Sequence, residues 1–258
     1  MISRPLDQPL DILAIAAHRD DVEQTCGGTL LKAAQRGQKT GILDLTRGEM
    51  GTRGTADDRE QEANYAAKRL GVEWRRALDI PDGRVENTLE NRLKVAHVIR
   101  ETRPRVVILP YWKGRHPDHY TASILGYEAC FLAGLVKLDL GLQTSDRRQP
   151  SREVGSLAPH RPFKIIYATL YYDIRPSFVV DISDQFEEKF ASILAYKSQF
   201  SDQEAGKDLF PAHQEIRARV DAMARFYGML GGVTYGEPFL QKEVGLVDDL
   251  LAIPVKSI

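Results

Sequence analysis

The chain has 258 residues, of which 43% are hydrophobic and 28% charged, and its formal net charge is −1. This length can bury a sizeable core, and the composition is that of a soluble globular protein rather than of a disordered one. A net charge near zero gives no overall attraction to nucleic acid or to an anionic membrane surface.

The first hundred or so residues alternate predicted strands with predicted helices. Apolar runs predict buried strands at residues 10–17, 39–46 and 74–79, and the turn Pro81-Asp82-Gly83 closes the third. Helical composition at residues 29–36 and 57–70 ends each time at a glycine, which is a frequent helix C-terminal signal.

The same alternation continues with a helix at residues 89–102, which Pro104 ends, a buried strand at 105–111 and a helix at 120–137. Strands and helices in this order predict an α/β fold, with a mostly parallel sheet and helices on both of its faces.

A polar stretch at residues 139–161 interrupts the pattern and predicts either a functional flap or a flexible insertion. The remaining segments predict strands at 163–172, 178–182 and 235–244 and helices at 184–198 and 216–230, with Ser183 capping the first of these helices. Because no linker separates the two parts, a single domain is expected over residues 1–258.

Two short motifs hold three of the six histidines: AHRDDVE at residues 17–23, the first motif, and RHPDH at residues 115–119, the second motif. Each motif follows a predicted buried strand. In open parallel sheets ligands bind at the carboxyl ends of strands, near the point where the strand order reverses. The two motifs are therefore expected to meet at one edge of the sheet.

The side chains of these motifs are those of a catalytic zinc site. Zinc in a hydrolase commonly has three protein ligands and one open position for water, which the metal makes acidic. His18, Asp21 and His119 are the predicted metal ligands. Asp20 is then free to act as general base on the water.

His116 and Asp118 form a second predicted pair. An imidazole kept protonated by a neighbouring carboxylate could stabilise an oxyanion or protonate a leaving amine. With the metal ligands and the base, this pair describes metal-assisted hydrolysis of an amide.

Simpler interpretations exist for each feature. Asp20 and Asp21 could cap the helix that follows, and a histidine at a strand end is often satisfied by a backbone carbonyl. The glycines of Gly27-Gly28-Thr29 could belong to a phosphate-binding loop, but they match no established pattern and more simply allow close packing. Cys26 and Cys130 are far apart and predict buried apolar side chains rather than a disulfide.

The two motifs, in this order and on these strands, resemble the PIG-L/LmbE-like superfamily of zinc-dependent N-acetylglucosaminyl deacetylases. TRGEMGTRGTADDRE at residues 46–60, PYW before the second motif and AYKSQF at residues 195–200 resemble the branch with the bacillithiol-pathway deacetylases. The resemblance extends to about Phe239. It implies a Rossmann-like fold and, in this branch, assembly into a homo-oligomer, often a hexamer.

The resemblance implies the same residue roles: His18, Asp21 and His119 as metal ligands, Asp20 as base, and His116 with Asp118 at the tetrahedral intermediate. It adds Arg59 at the rim of the site. One departure is Arg19, where the family usually has proline.

The implied substrate is an N-acetylated amino sugar on an aglycone, with N-acetylglucosaminyl-malate expected first and an inositol conjugate or a chitooligosaccharide as the alternative. A malate group would favour arginines, which bind carboxylates bidentately, and the candidates are Arg53, Arg59 and Arg115. The expected cofactor is Zn2+, with iron(II) or another divalent cation as the alternative.

Two other functions compete with this one. Two histidines and a carboxylate also describe the iron(II) oxygenase triad, although the alternating pattern disfavours the β-barrel on which those enzymes are built. A non-catalytic sugar-binding protein is the second, but it would have no use for Asp20. The expected partner is a small molecule, without nucleic acid or membrane, and the expected location is the cytoplasm.

Overall fold

The computed structural model of the protein describes residues 8–140, 157–170, 172–201 and 213–253. Seven strands form one sheet: β1 Ile12–Ala16, β2 Thr40–Asp44, β3 Trp74–Ala77, β4 Val106–Pro110, β5 Lys164–Ala168, β6 Phe178–Asp181 and β7 Gly236–Leu240. The helices are α1 Asp21–Gln35, α2 Ala56–Arg69, α3 Leu89–Thr102, α4 Pro117–Ala133, α5 Phe186–Ile193, α6 Lys197–Phe200 and α7 His213–Gly231.

The strand order is β3-β2-β1-β4-β5-β7-β6. The first five strands of this order run parallel, whereas β7 pairs antiparallel with both β5 and β6. The prediction of a single-domain α/β fold with a mostly parallel sheet is confirmed. The order reverses between β1 and β4, so a crevice is expected at the carboxyl ends of these two strands.

Helices cover both faces of the sheet because the strand side chains alternate between them. Leu13 and Ile15 of β1 pack in one core with residues of α3 and α4. Ala14 and Ala16 of the same strand pack in a second core with residues of α1 and α2. Both faces are apolar, which explains why the parallel strands are continuous apolar runs in the sequence.

The first helix begins eight residues earlier than predicted, directly after the first motif. Its sequence contains the Gly27-Gly28 pair, which disfavours a helix, and the backbone is distorted at Cys26. Glu237 compensates, since its carboxylate accepts hydrogen bonds from the backbone N–H of Gly28 at 2.9 Å and of Thr29 at 2.7 Å. These amides are therefore occupied, and the phosphate-loop interpretation is wrong.

The helix predicted at residues 184–198 is in fact two, α5 and α6. Tyr196 interrupts it with a non-helical ψ of 68° while its buried hydroxyl donates to Glu23 Oε1 at 3.0 Å. Ser183 does not cap α5, because its Oγ donates to Asp181 Oδ1 at 2.6 Å. Both differences arise from contacts to residues outside the helix.

The predicted flap or insertion at residues 139–161 falls, between 141 and 156, outside the described part of the chain. Cys26 and Cys130 are buried free cysteines, as predicted. Among the described residues, no helix combines the length and apolar character that crossing a bilayer requires.

Candidate metal centre

Both motifs lie where the strand order reverses. The first motif connects β1 to α1, and the second connects β4 to α4, whose first turn carries His119. Because β1 and β4 are neighbours in the sheet, two segments about a hundred residues apart meet at one edge. The convergence predicted from the sequence is present in the structure.

Short local contacts fix each turn. In the first motif, the backbone N–H of His18 donates to Asp21 Oδ2 at 2.9 Å. In the second motif, Pro117 starts α4 and His116 is the residue that caps it, with Nδ1 accepting from the Asp118 backbone N–H at 3.2 Å. Asp20 precedes α1 but makes no side-chain capping bond, so the capping interpretation is wrong for this residue.

His18, Asp21 and His119 form a triangle of side chains, in which Asp21 faces His18 with Oδ2 and His119 with Oδ1. His18 Nδ1 lies 3.2 Å from His119 Nε2 and 3.5 Å from Asp21 Oδ2, and His119 Nε2 lies 3.2 Å from Asp21 Oδ1. A tetrahedral zinc ion with bonds of about 2.0–2.2 Å keeps its ligand atoms roughly 3.3–3.5 Å apart. The residues present thus fit a divalent cation, and two imidazoles with one carboxylate suit zinc.

The two rings and the carboxylate also shift each other's protonation. Burial of the His18 ring opposes its protonation, but hydrogen bonds to three carboxylates outweigh burial and raise the pKa of His18 to about 12. Burial likewise opposes ionisation of Asp21, yet the two adjacent rings hold its pKa well below the usual value. Both shifts have the same cause, because rings and carboxylates packed this closely stabilise each other's charged forms.

Asp20 lies beside this triangle and is held by other groups. Arg59, from α2, donates through Nη2 to Asp20 Oδ1 at 3.0 Å, and Gln24 Nε2 lies 3.2 Å from Asp20 Oδ2. The Arg59 guanidinium is buried and sits over the Tyr196 ring. Asp20 is therefore a carboxylate held in a fixed orientation, and it directly precedes Asp21 in the chain.

His116 and Asp118 do not form the predicted pair. The Asp118 carboxylate accepts from the backbone N–H of Gly83 at 2.8 Å and of Val85 at 3.2 Å, and it lies 3.4 Å from His18 Nε2. The hydrogen bond between the two residues comes from the Asp118 backbone N–H, which donates to the His116 ring. In the described part of the chain, the Asp118 carboxylate is thus bonded to other groups, contrary to the predicted pair.

The His116 ring is instead disposed to be neutral. Partial desolvation, and then the neighbouring His18 and His119, lower the pKa of His116, and the charges of Asp118 and Asp21 offset only part of this effect. Since Nδ1 accepts an N–H, a neutral ring carries its proton on Nε2. The ring centroid is 4.7 Å from that of His18 and 5.0 Å from that of His119, so this donor belongs to the same site.

Sequence reasoning missed Asp82. Its Oδ1 lies 3.1 Å from His18 Nε2, the ring atom on the far side from His119. Its Oδ2 accepts from the Met50 backbone N–H at 3.0 Å. The signal was available, because the turn Pro81-Asp82-Gly83 follows β3 at the same edge of the sheet, but its carboxylate was attributed to the turn alone.

The three predicted substrate arginines have different surroundings. Arg59 contacts a residue of the first motif, Asp20. Arg115 is exposed, beside the second motif. Arg53 is buried and donates through Nη1 to the backbone carbonyls of Gln199 and Ser201 at 3.4 and 3.2 Å, so its guanidinium holds α6 in place. The role of Arg53 in binding a substrate carboxylate stays a prediction.

A cleft opens beside the triangle, and its lining includes Thr25, Tyr111, Lys113 and Leu170. Asp21 and His119 also line it, so two of the three predicted metal ligands face the cleft. Small molecules bind preferentially in clefts where a few polar groups converge.

Known proteins resemble this chain over nearly its whole length. The PIG-L family model, described as GlcNAc-PI de-N-acetylase, matches residues 13–130, which include both motifs. Diacetylchitobiose deacetylase of Thermococcus kodakarensis is 32% identical over 247 residues, which cover 92% of this chain and 84% of the relative.

Solved structures agree with this assignment. The conserved protein TT1542 of Thermus thermophilus has a TM-score of 0.76 at 39% identity, over 93% of this chain and 98% of that one. N,N'-diacetylchitobiose deacetylase of Pyrococcus horikoshii has a TM-score of 0.75 at 26% identity, over 93% of this chain and 86% of that one. These matches do not confirm the predicted place in the bacillithiol branch. With both motifs, the fold and a full-length relative in agreement, the chain belongs to the PIG-L family.

Proposed function

We propose that the protein is a metal-dependent hydrolase that removes the acetyl group from an N-acetylated amino sugar and releases acetate and the free amine. The observation that carries this proposal is the triangle of His18, Asp21 and His119, with the Asp20 carboxylate and the His116 ring beside it. Membership of the PIG-L family supports the same class of reaction.

When bound, a divalent cation would lower the pKa of a water molecule and polarise the acetyl carbonyl. Asp20 takes the proton of the water as its oxygen attacks the amide carbon, and Arg59 keeps the carboxylate oriented. His116 donates its Nε2–H to the oxygen that becomes negatively charged. Asp20 then passes the proton to the amine nitrogen as the C–N bond breaks.

The substrate that we propose is a short chitooligosaccharide, the alternative of the sequence analysis, rather than N-acetylglucosaminyl-malate. Two relatives, which match 92% and 93% of this chain, are named for diacetylchitobiose. The hydrogen bonds of Arg53 to the Gln199 and Ser201 carbonyls also favour a structural use of one of the three arginines that a malate group would need. Zinc remains our proposed metal because of the donor set, and the homo-oligomer remains a prediction for a molar-mass measurement in solution.

Acetate release tests this proposal. Protein loaded with one metal at a time is incubated with N,N'-diacetylchitobiose, N-acetylglucosamine, N-acetylglucosaminyl-malate and N-acetylglucosaminyl-inositol, with Asp20→Asn as the matched inactive variant. We expect the fastest release from diacetylchitobiose. Faster release from the malate conjugate would contradict the substrate, and no release from any of the four would contradict the reaction. Bound metal without turnover would favour the sugar-binding alternative.

A further inference from the structure

Arg19, between the ligand His18 and the base Asp20, has its side chain inside the protein. It is only 2% exposed. Its Nη1 donates to the backbone carbonyl of Ala56 at 2.7 Å, and its Nη2 lies 3.4 Å from Glu60 Oε2. Ala56 begins α2, and Glu60 is one turn further along. Arg19 therefore connects the first motif to the start of a different helix.

The same helix carries Arg59, the residue that donates to Asp20. Arg19 reaches from the first motif to α2, and Arg59 reaches from α2 back to the first motif. The two contacts join neighbouring residues of the motif to neighbouring residues of α2. Arg19 and Asp20 are adjacent in the motif, and Arg59 and Glu60 are adjacent in the helix. Any displacement of α2 from the motif would therefore stretch both contacts together.

The backbone of Arg19 is fixed as well. Its carbonyl accepts from Arg75 Nη2 at 2.9 Å, and Arg75 in turn pairs with Asp44 and Glu23 at 2.8 and 2.6 Å, all of them buried. Because Arg75 fixes the backbone of Arg19, the Arg19 side chain starts from a fixed position. A buried guanidinium is costly without partners, so its contact with α2 is a specific one.

We propose that Arg19 is a positioning residue, which holds the start of α2 against the first motif and so keeps Arg59 within hydrogen-bond reach of Asp20. The inference rests on the proposed function, in which Asp20 is the base. This role accounts for the arginine at position 19, since the side chain of a proline is too short to reach α2.

A double-mutant cycle tests it. Arg19→Met removes both contacts to α2, and Arg59→Met removes the contact to Asp20. The control is Arg69→Met at the other end of α2, where the half-buried side chain contacts Tyr65 and Glu188 rather than the first motif. We expect Arg19→Met to lower kcat about 10- to 100-fold, since small misplacements of catalytic groups have effects of this size, with KM and bound metal little changed. The double variant should turn over within about twofold of Arg59→Met, because residues that act through one another are not additive.

Conservative variants separate positioning from loss of folding. Arg19→Lys can still donate to the Ala56 carbonyl and should recover part of kcat, and Glu60→Gln should lower it mildly. Full activity of Arg19→Met, or losses that multiply in the double variant, would overturn the proposal. If Arg19→Met does not fold, equal kcat values for wild type, Arg19→Lys and Glu60→Gln would overturn it.

A readout without turnover distinguishes failure of this inference from failure of the proposed function. Hydrogen exchange of the first turn of α2 should be faster in Arg19→Met, or in Arg19→Lys, than in Arg69→Met. If the wild type releases no acetate yet this difference is found, the contact to α2 stands and the proposed reaction fails. If exchange is unchanged, Arg19 does not hold α2.

Discussion

Replacing Asp82 by asparagine should weaken metal binding although Asp82 is not one of the three proposed ligands. A histidine that binds a metal through one ring nitrogen commonly donates its other N–H to a carboxylate, and loss of that carboxylate lowers metal affinity about 10- to 100-fold. In this protein His18 Nδ1 faces the triangle, while Nε2 faces Asp82 at 3.1 Å and Asp118 at 3.4 Å.

The geometry sets the expected size of the effect. Asp82 accepts from His18 with one oxygen and from the Met50 N–H with the other, and an asparagine offers only one acceptor for these two donors. Asp118 remains near His18 and compensates in part. We therefore expect about tenfold weaker binding for Asp82→Asn, which is about 1.4 kcal/mol, and about 100-fold for the double variant with Asp118→Asn.

Competition with a chelator of known zinc affinity measures this change. The matched control is Asp79→Asn, three residues earlier, whose carboxylate is 75% exposed and pairs only with Arg47 among the ion pairs of the described residues. It should leave affinity unchanged. If Asp82→Asn binds zinc as tightly as this control while Asp21→Asn does not, Asp82 does not orient the His18 ring and the reasoning is refuted.

Three further outcomes follow from the same contacts. Asp20→Asn should lower kcat about 10²- to 10⁴-fold without changing the amount of bound metal. Acetate release and metal analysis measure these two quantities, and loss of metal would show that Asp20 is a ligand instead. Metal affinity should rise about tenfold per pH unit from about pH 6 to about pH 8 for each proton that the metal displaces. The reason is that carboxylates raise the pKa of His18, whereas the cation binds only the neutral ring. Affinity independent of pH would contradict this. Arg75→Met should lower the free energy of unfolding by about 3–5 kcal/mol in urea titrations, since it leaves the buried Glu23 and Asp44 unpaired, and a loss under about 1 kcal/mol would contradict that accounting.

The local pattern of residues was sufficient to predict the fold class and the approximate position of the site. Apolar runs at the spacing of buried strands predicted the sheet, and the position of each motif after a strand predicted that His18 and His119 would meet. Both inferences depend on backbone geometry, because parallel strands connected by helices must align their carboxyl ends. Errors in the helices arose where distant residues intervened, as Glu237 does in the middle of α1.

Partners of individual side chains were decided only by the tertiary structure. The sequence placed Asp118 beside His116, but the start of α4 directs its carboxylate to the turn that contains Gly83. Arg53 belongs to a conspicuous motif yet holds α6, and Asp82 looked like an ordinary turn residue. A hydrogen-bond partner depends on which segments pack together and on the direction of each side chain, and neither is encoded in local periodicity. Thus the sequence by itself determined the sheet, its edge and the residue types that gather there, while packing between distant segments decided which of them face one another.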